Sequence, residues 1–217
     1  VAACVKHFAL NNDEEYRNQV NVIVDDRALY EIYLPAFKAA VTEGHVWGLM
    51  GAYNLYNDQH NCHNKRLLCD ILKGEWGFDG VVVSDWGGAH DTRQAVENGL
   101  DMEFGTWTDG LSFGESNAYN NYYLARPYRE LIQKGEYSTK ELDDKVRRVL
   151  RLFFRTTMRT DRGNGSMNSE AHYATARRVA DEGIVLLKNE GNLLPLDTTK
   201  ALRVLVVGEN AIKMMTV

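Results

Sequence analysis

The chain has 217 residues, 44% of them hydrophobic and 25% charged, with a net charge of −5. That balance belongs to a globular protein of one domain, or of one domain and part of another. The acidic excess leaves no basic footprint for nucleic acid, and no apolar run reaches the length needed to cross a bilayer.

Residues 1–8 read as a strand. Asp25 is placed to cap a helix in which Leu29, Ile32, Tyr33, Ala36, Phe37, Ala40 and Val41 recur at helical spacing, with Gly44 at its end and Pro35 as a kink. Residues 46–53 form a second strand. Asn64 starts a short helix with Leu67, Leu68, Ile71 and Leu72 on one side, stopped at Gly74. A third strand covers 81–85, and the helix after it, over 90–98, closes at Gly99. The fourth strand, 101–105, is short.

Helices are expected over 119–134 and 139–155. The second opens on a capping box, Ser138 with Glu141, and carries an apolar stripe of Leu142, Val146, Val149, Leu150, Phe153 and Phe154. Residues 156–168 are polar and glycine-bearing, the composition of a domain boundary. Beyond them 169–182 reads as a helix and 184–187 and 204–207 as strands, the opening of a second α/β unit.

Strands alternating with helices imply an α/β protein with a parallel sheet. Four such units over residues 1–156 amount to half of an eight-stranded barrel, and a four-unit doubly wound domain is the competing architecture. The chain begins at Val1, directly in a strand and without a targeting segment, as a piece of a longer protein would. That favours the half barrel. A signal segment is expected, if anywhere, in the part before residue 1.

The most informative stretch is 80–87, Gly-Val-Val-Val-Ser-Asp-Trp-Gly. Three consecutive valines describe a strand buried on both faces. In a parallel barrel the carboxyl ends of the strands build the active site, which makes Asp85 a candidate nucleophile and Trp86 a platform for a sugar ring. The alternative for Asp85 is a cap on the following helix. Lys6 and His7 close the first strand, Arg17 lies in the loop after it, and Tyr53 closes the second strand, so all four would converge with Asp85 on one rim. Cationic and hydrogen-bonding side chains around a carboxylate suit a polyhydroxylated ring, and nearby positive charge keeps a nucleophilic carboxylate ionised. Singly, His7 reads as a core histidine and Tyr53 as a packed aromatic; their joint placement gives them weight.

These stretches resemble glycoside hydrolase family 3, the two-domain β-glucosidase type. The resemblance is carried by residues 6–12 (Lys-His-Phe-Ala-Leu-Asn-Asn), 26–37, 50–54 (Met-Gly-Ala-Tyr-Asn), 62–64 and 67–68. It continues through 75–80 (Glu-Trp-Gly-Phe-Asp-Gly), 83–87 (Val-Ser-Asp-Trp-Gly), 99–103, 182–189 and 193–196. It implies a retaining exo-β-glycosidase in which Asp85 is the nucleophile. Lys6, His7, Arg17, Met50 and Tyr53 would line the subsite of the sugar and Trp86 the neighbouring one, although a core methionine suits Met50 equally. It implies the second half of a (β/α)8 barrel over residues 1–156, a linker over 157–168 and the start of an α/β sandwich over 169–217. The substrate class is a terminal β-linked sugar of an oligosaccharide or glycoside, with no cofactor, no metal, no nucleic acid and no membrane. Export to the periplasm or outside the cell accords with the family.

The general acid of two-domain members comes from the second domain, so none of these residues is assigned to it. Another branch marks a barrel-loop acid with Pro-Gly-His after Lys-His-Phe, where this chain has Ala9, Leu10 and Asn11. Tryptophan after the nucleophile favours β-glucosidases over the β-xylosidase branch, where Ser-Asp-Cys is common; a β-xylosidase and a non-catalytic carbohydrate-binding relative are the rival readings. His60, Cys62 and His63 lie close together but have no second ligand cluster, so a metal is not expected. Asp13, Glu14 and Glu15 read as a solvated loop face, Glu103 as a structural hydrogen-bonding group, and Trp107 as either a rim aromatic or a loop anchor. The three cysteines, Cys4, Cys62 and Cys69, make no disulfide framework and name no redox compartment.

Overall fold

The computed structural model describes every residue except 106–117, 162, 164, 201–202 and 214–217, together with all side chains of those described residues but 118 and 119. The Trp107 assignment lies outside the described residues. Two compact units are present, residues 1–162 and 163–217.

In the first unit three parallel strands, β1 (Cys4–Phe8), β3 (Gly48–Gly51) and β6 (Val81–Val83), form a sheet in the order β1-β3-β6. The register aligns Val5 with Leu49 and Leu49 with Val82. Leu49 and Val82 join the core under the helices, with Val5 packed against it, while Met50 and Val83, paired in register, alternate to the other face. Each strand pairs with its neighbour in sequence, and the order never reverses. The fourth predicted strand is reduced to one parallel bridge, Val83 with Met102. The Asp101 carboxylate is the reason: its Oδ2 accepts the Val82 N–H at 2.8 Å, taking the place of a ladder partner.

A second, small sheet holds β2 (Asn21–Val22) parallel to β4 (Leu55–Tyr56), and β4 antiparallel to β5 (Gln59–His60). The two-residue turn between β4 and β5 is Asn57-Asp58, both at positive φ, the backbone that tight hairpins need and that Asn and Asp tolerate. Asn21 and Asp58 tie β2 to this turn side chain to side chain at 2.6 Å. The sheet thereby joins the loop carrying Arg17 to the segment carrying Tyr53.

Asp25 caps α1 (Asp26–Ala28), its carboxylate accepting the Ala28 N–H at 2.8 Å. The helix then widens into a π-turn, Leu29–Tyr33, before restarting at Pro35 as α2 (Pro35–Thr42). Proline has no N–H and crowds the carbonyl four residues back, so the ladder lengthens ahead of it; the Leu34 N–H reaches the Leu29 carbonyl at 3.0 Å. The helix expected from Asn64 is a π-helix over Arg66–Glu75, whose Leu67, Leu68, Ile71 and Leu72 are all buried. Asp91 caps α3 (Thr92–Glu97), followed by Gly99 at φ 89°. A 3-10 turn, Ala118–Asn121, precedes α4 (Arg126–Gln133) and then α5 (Lys140–Arg155).

The capping box at α5 does not form as expected. Thr139 occupies the cap with no side-chain bond, and the Ser138 hydroxyl accepts the Lys140 N–H instead. The apolar stripe of α5 is half-exposed, Phe154 by 61%, and Lys145 is the residue buried beneath the helix. Cations attach α5 to α3 and to the segment leading into β6. The Lys145 ammonium donates to the carbonyls of Ala95, Val96 and Leu100, Arg148 to those of Phe78 and Gly80, and Arg155 pairs with Asp79. A cation at the C-terminus of α3 satisfies carbonyls that the helix leaves open.

In the second unit the helix expected over 169–182 is α6 (Glu170–Gly183), capped by Ser169. The strands expected over 184–187 and 204–207 pair with nothing among the described residues, and their side chains are exposed. A strand exists only through its partner, and an apolar run alone does not supply one. No helix among the described residues is long and apolar enough to cross a membrane.

Burial pushes the Lys145 ammonium down to about 8. The folded state then binds fewer protons than the unfolded chain between about pH 8 and the ordinary lysine range, so stability rises with pH across that window. Replacing Lys145 by Met leaves three carbonyls unpaired and should cost about 1–3 kcal/mol near neutral pH. Urea unfolding of the full-length protein at pH 7 and pH 9.5 checks both points, with the wild type gaining on Lys145→Met at the higher pH.

Candidate active site

Asp85 sits one residue beyond Ser84 at the end of β6 and is 7% exposed. Asp85, Trp86, Gly87 and Gly88 make a tight turn, closed by the Gly88 N–H on the Asp85 carbonyl at 2.9 Å. Gly87 takes φ 74°, the third-position conformation of a type II turn that glycine adopts without strain. Within the turn Oδ1 of Asp85 accepts the Trp86 N–H at 2.8 Å, so one carboxylate oxygen is fixed by the backbone. The other, Oδ2, faces His7 Nε2 at 3.3 Å.

His7 reaches Asp85 because β1 is bulged there. Val5 pairs with Leu49 and Phe8 with Gly51, leaving two residues, Lys6 and His7, opposite Met50 alone. Such an extra residue re-aims the side chains around it. Lys6 is exposed and has no hydrogen bond or ion pair among the described residues, so it is placed near the rim without touching the carboxylate.

Tyr53 follows β3, and its phenol donates to the Trp86 carbonyl at 2.9 Å. Burial, with the Asp85 carboxylate close by, pushes this phenol up to about 12, which keeps it a proton donor. The Arg17 guanidinium lies over the Tyr53 ring at 4.7 Å and is held by Glu14 at 2.6 Å. Met50 is half-buried, on the sheet face turned away from the helices. Trp86 is 62% exposed and stacks on Phe104 with ring centroids 5.7 Å apart.

Asp85, His7, Tyr53, Arg17 and Trp86 therefore form one continuous set, with Met50 in the neighbouring strand and Lys6 at its margin. The helix-cap alternative for Asp85 falls away, because Asp91 caps α3. Glu103 accepts the N–H groups of Tyr123 and Leu124 and is raised by burial, a structural role. Glu14 belongs to an exposed loop yet positions Arg17, which the acidic run by itself did not signal. Phe104 was missed as well. Its N–H donates to the Ser84 hydroxyl at 2.8 Å and its carbonyl accepts the Gly87 N–H at 2.9 Å, so it pins the turn on two sides.

Among the described residues no group of three His, Cys, Asp or Glu side chains could hold a metal ion. His60 and His90 stack at 3.8 Å, while both nitrogens of His63 are engaged, Nδ1 with Gln94 and Nε2 accepting the His90 N–H. Burial lowers His63 and His90 to about 4, so the cluster is neutral near pH 7.

Known proteins resemble the chain over nearly its whole length. A β-glucosidase of Bacteroides ovatus is 52% identical over 216 residues, 97% of this chain and 29% of the relative. An exo-α-(1→6)-L-arabinopyranosidase of Bifidobacterium longum is 34% identical over 91% of this chain and 24% of its own length. A β-glucosidase of Streptomyces venezuelae, solved in complex with D-glucose, superposes with a TM-score of 0.73 at 32% identity, over 89% of this chain and 25% of that one. The chain thus spans less than a third of these relatives. Residues 1–152 match the description "Glycosyl hydrolase family 3 N terminal domain", and the chain belongs to that family.

Proposed function

We propose that these residues are part of a retaining exo-β-glycosidase, β-glucosidase-like, with Asp85 as its nucleophile. The observation that carries the reading is the Asp85 carboxylate itself. It is buried to 7% exposure at the end of a parallel strand, one oxygen held by its own turn and the other facing His7. A carboxylate so fixed can approach an anomeric carbon and form the glycosyl-enzyme intermediate of a double displacement. Arg17, Tyr53, His7 and the marginal Lys6 offer donors to the hydroxyls of the ring in front of it, and Met50 an apolar wall. Trp86 with Phe104 behind it presents an aromatic face to whatever the sugar is attached to.

The proton donor is assigned to a part of the enzyme outside residues 1–217. Within the rim Glu103 is committed to two backbone N–H groups and Glu14 to Arg17. The one-way strand order, and a sheet whose Met50 and Val83 face turns from the helices, support reading residues 1–156 as half of a (β/α)8 barrel. Residues 169–217 are read as the start of an α/β sandwich after a linker over 157–168.

Three outcomes are expected of the full-length enzyme. Asp85→Asn keeps the acceptor for the Trp86 N–H but not the negative charge; kcat should fall about 10³-fold or more with thermal stability nearly unchanged. Unimpaired turnover would remove Asp85 from this role. Aryl β-glucoside should be hydrolysed in preference to aryl β-xyloside and α-L-arabinopyranoside, and a measured preference for either of the latter reassigns the sugar. Trp86→Ala should lower kcat/KM for an aryl glucoside about tenfold while inhibition by glucose stays the same, because the indole serves the neighbouring group.

A further inference from the structure

Behind the nucleophile turn lies a thiol that the reaction as described does not use. Cys62 is fully buried, in the 3-10 turn Asn61–His63. Its Sγ donates to the Ala52 carbonyl at 3.4 Å, just past the end of β3. On its other side the sulfur faces the nucleophile turn at Gly88. Two glycines make room for it. A Cβ at Gly88, the residue that closes the turn, would stand 2.6 Å from Sγ. One at Gly51, the last residue of β3, would stand 2.9 Å from Sγ and 2.8 Å from Cys62 Cα. The sulfur is thus wedged between the end of one strand and the turn that follows another.

We propose that Cys62 is a positioning residue for the nucleophile: its sulfur, bonded to the Ala52 carbonyl and packed under Gly88, sets the height and tilt of the turn that aims the carboxylate. The proposal rests on the reading of Asp85 as the nucleophile. Because Oδ1 is fixed by the Trp86 N–H of the same turn, any tilt of the turn carries the carboxylate with it and changes its approach to the reacting carbon. A misplacement of about an ångström can cost roughly a hundredfold in rate. Sulfur suits the position for two reasons. Its bond to Cβ is longer than that of a hydroxyl oxygen, so it spans both partners. Burial also pushes the thiol up to about 12, so it remains a neutral donor that can also accept. Serine keeps the chemistry but loses reach; alanine leaves the Ala52 carbonyl without this donor and a gap beneath Gly88.

The test follows covalent labelling of the full-length enzyme by a 2-deoxy-2-fluoro-β-glucoside with a good leaving group, the labelled peptide being mapped by mass spectrometry. Wild type should be labelled on Asp85. Cys62→Ala should be labelled on the same residue at a saturating rate at least about tenfold lower, with the inhibition constant of glucose within about twofold of wild type, and Cys62→Ser should fall between. Equal labelling rates at Asp85 overturn the role of Cys62 and leave Asp85 standing. So does a loss of rate matched by an equal loss of glucose binding, which is what general loosening produces. A label on another residue of the wild type overturns the Asp85 reading and this inference together. Should Cys62→Ala fail to fold, Gly88→Ala asks the same question from the other side, its methyl meeting the sulfur. The labelling rate should again drop with glucose inhibition retained, and an unchanged rate overturns the proposal.

Discussion

The site depends on the way the Asp85–Gly88 turn is fastened to its surroundings. Ser84 donates its N–H to the Met102 carbonyl at 2.9 Å, and its hydroxyl accepts the Phe104 N–H. Gly87 returns to the Phe104 carbonyl, and Tyr53 donates to Trp86. Four residues are thus gripped from the strand on one side and from the segment 102–104 on the other. Few rotatable bonds separate the Asp85 carboxylate from a backbone held in this way, so little conformational freedom remains to be lost when a substrate arrives. A glycine-containing turn left to itself would be among the looser parts of a fold; here it is among the most constrained.

Buried polar contacts elsewhere in the first unit hold the segments around that turn. Asp101 occupies the N–H where a fourth strand would pair, and Lys73 holds its other oxygen at 2.8 Å. Lys145 and Arg148 bring α5 onto open carbonyls. Each is a buried or half-buried charged group with its partners satisfied, the condition under which burying charge is tolerated. Removing one partner from such a network costs more than the pair contributes, because the other is left in a place where water cannot reach it.

Much of this was legible in the sequence because it is local or periodic. Asp25 announces a helix start through a side chain that bonds within three residues, and Val81, Val82 and Val83 announce a buried strand by composition. Asp85, His7, Arg17 and Tyr53 were legible because strand ends bring them to one rim. The π-turns, the collapse of the fourth strand and the burial of Lys145 beneath α5 were not. The last two are decided by partners far away in sequence: the Val82 N–H for Asp101, the carbonyls of α3 for Lys145. The capping box at Ser138 failed although its residues are present, since Thr139 took a helical conformation at the cap. Within the site Lys6 lies exposed at the margin, its neighbour on the bulge being the one turned toward the carboxylate. Phe104 and Cys62 were invisible, one a lone aromatic and the other a lone thiol until the turn is seen between them.

On the proposed reading, the Trp86–Phe104 stack separates two kinds of recognition. The polar set of Arg17, Tyr53 and His7 reads the positions of individual hydroxyls, which a single inverted carbon would disturb. A half-exposed indole ledge reads only flatness and apolar area, and almost any leaving group with one smooth face offers both. Such an enzyme would be exacting about the sugar it removes and tolerant of what it removes it from. Over evolutionary time its range of aglycones could then widen or narrow at Trp86 and Phe104 without retuning the machinery that breaks the bond.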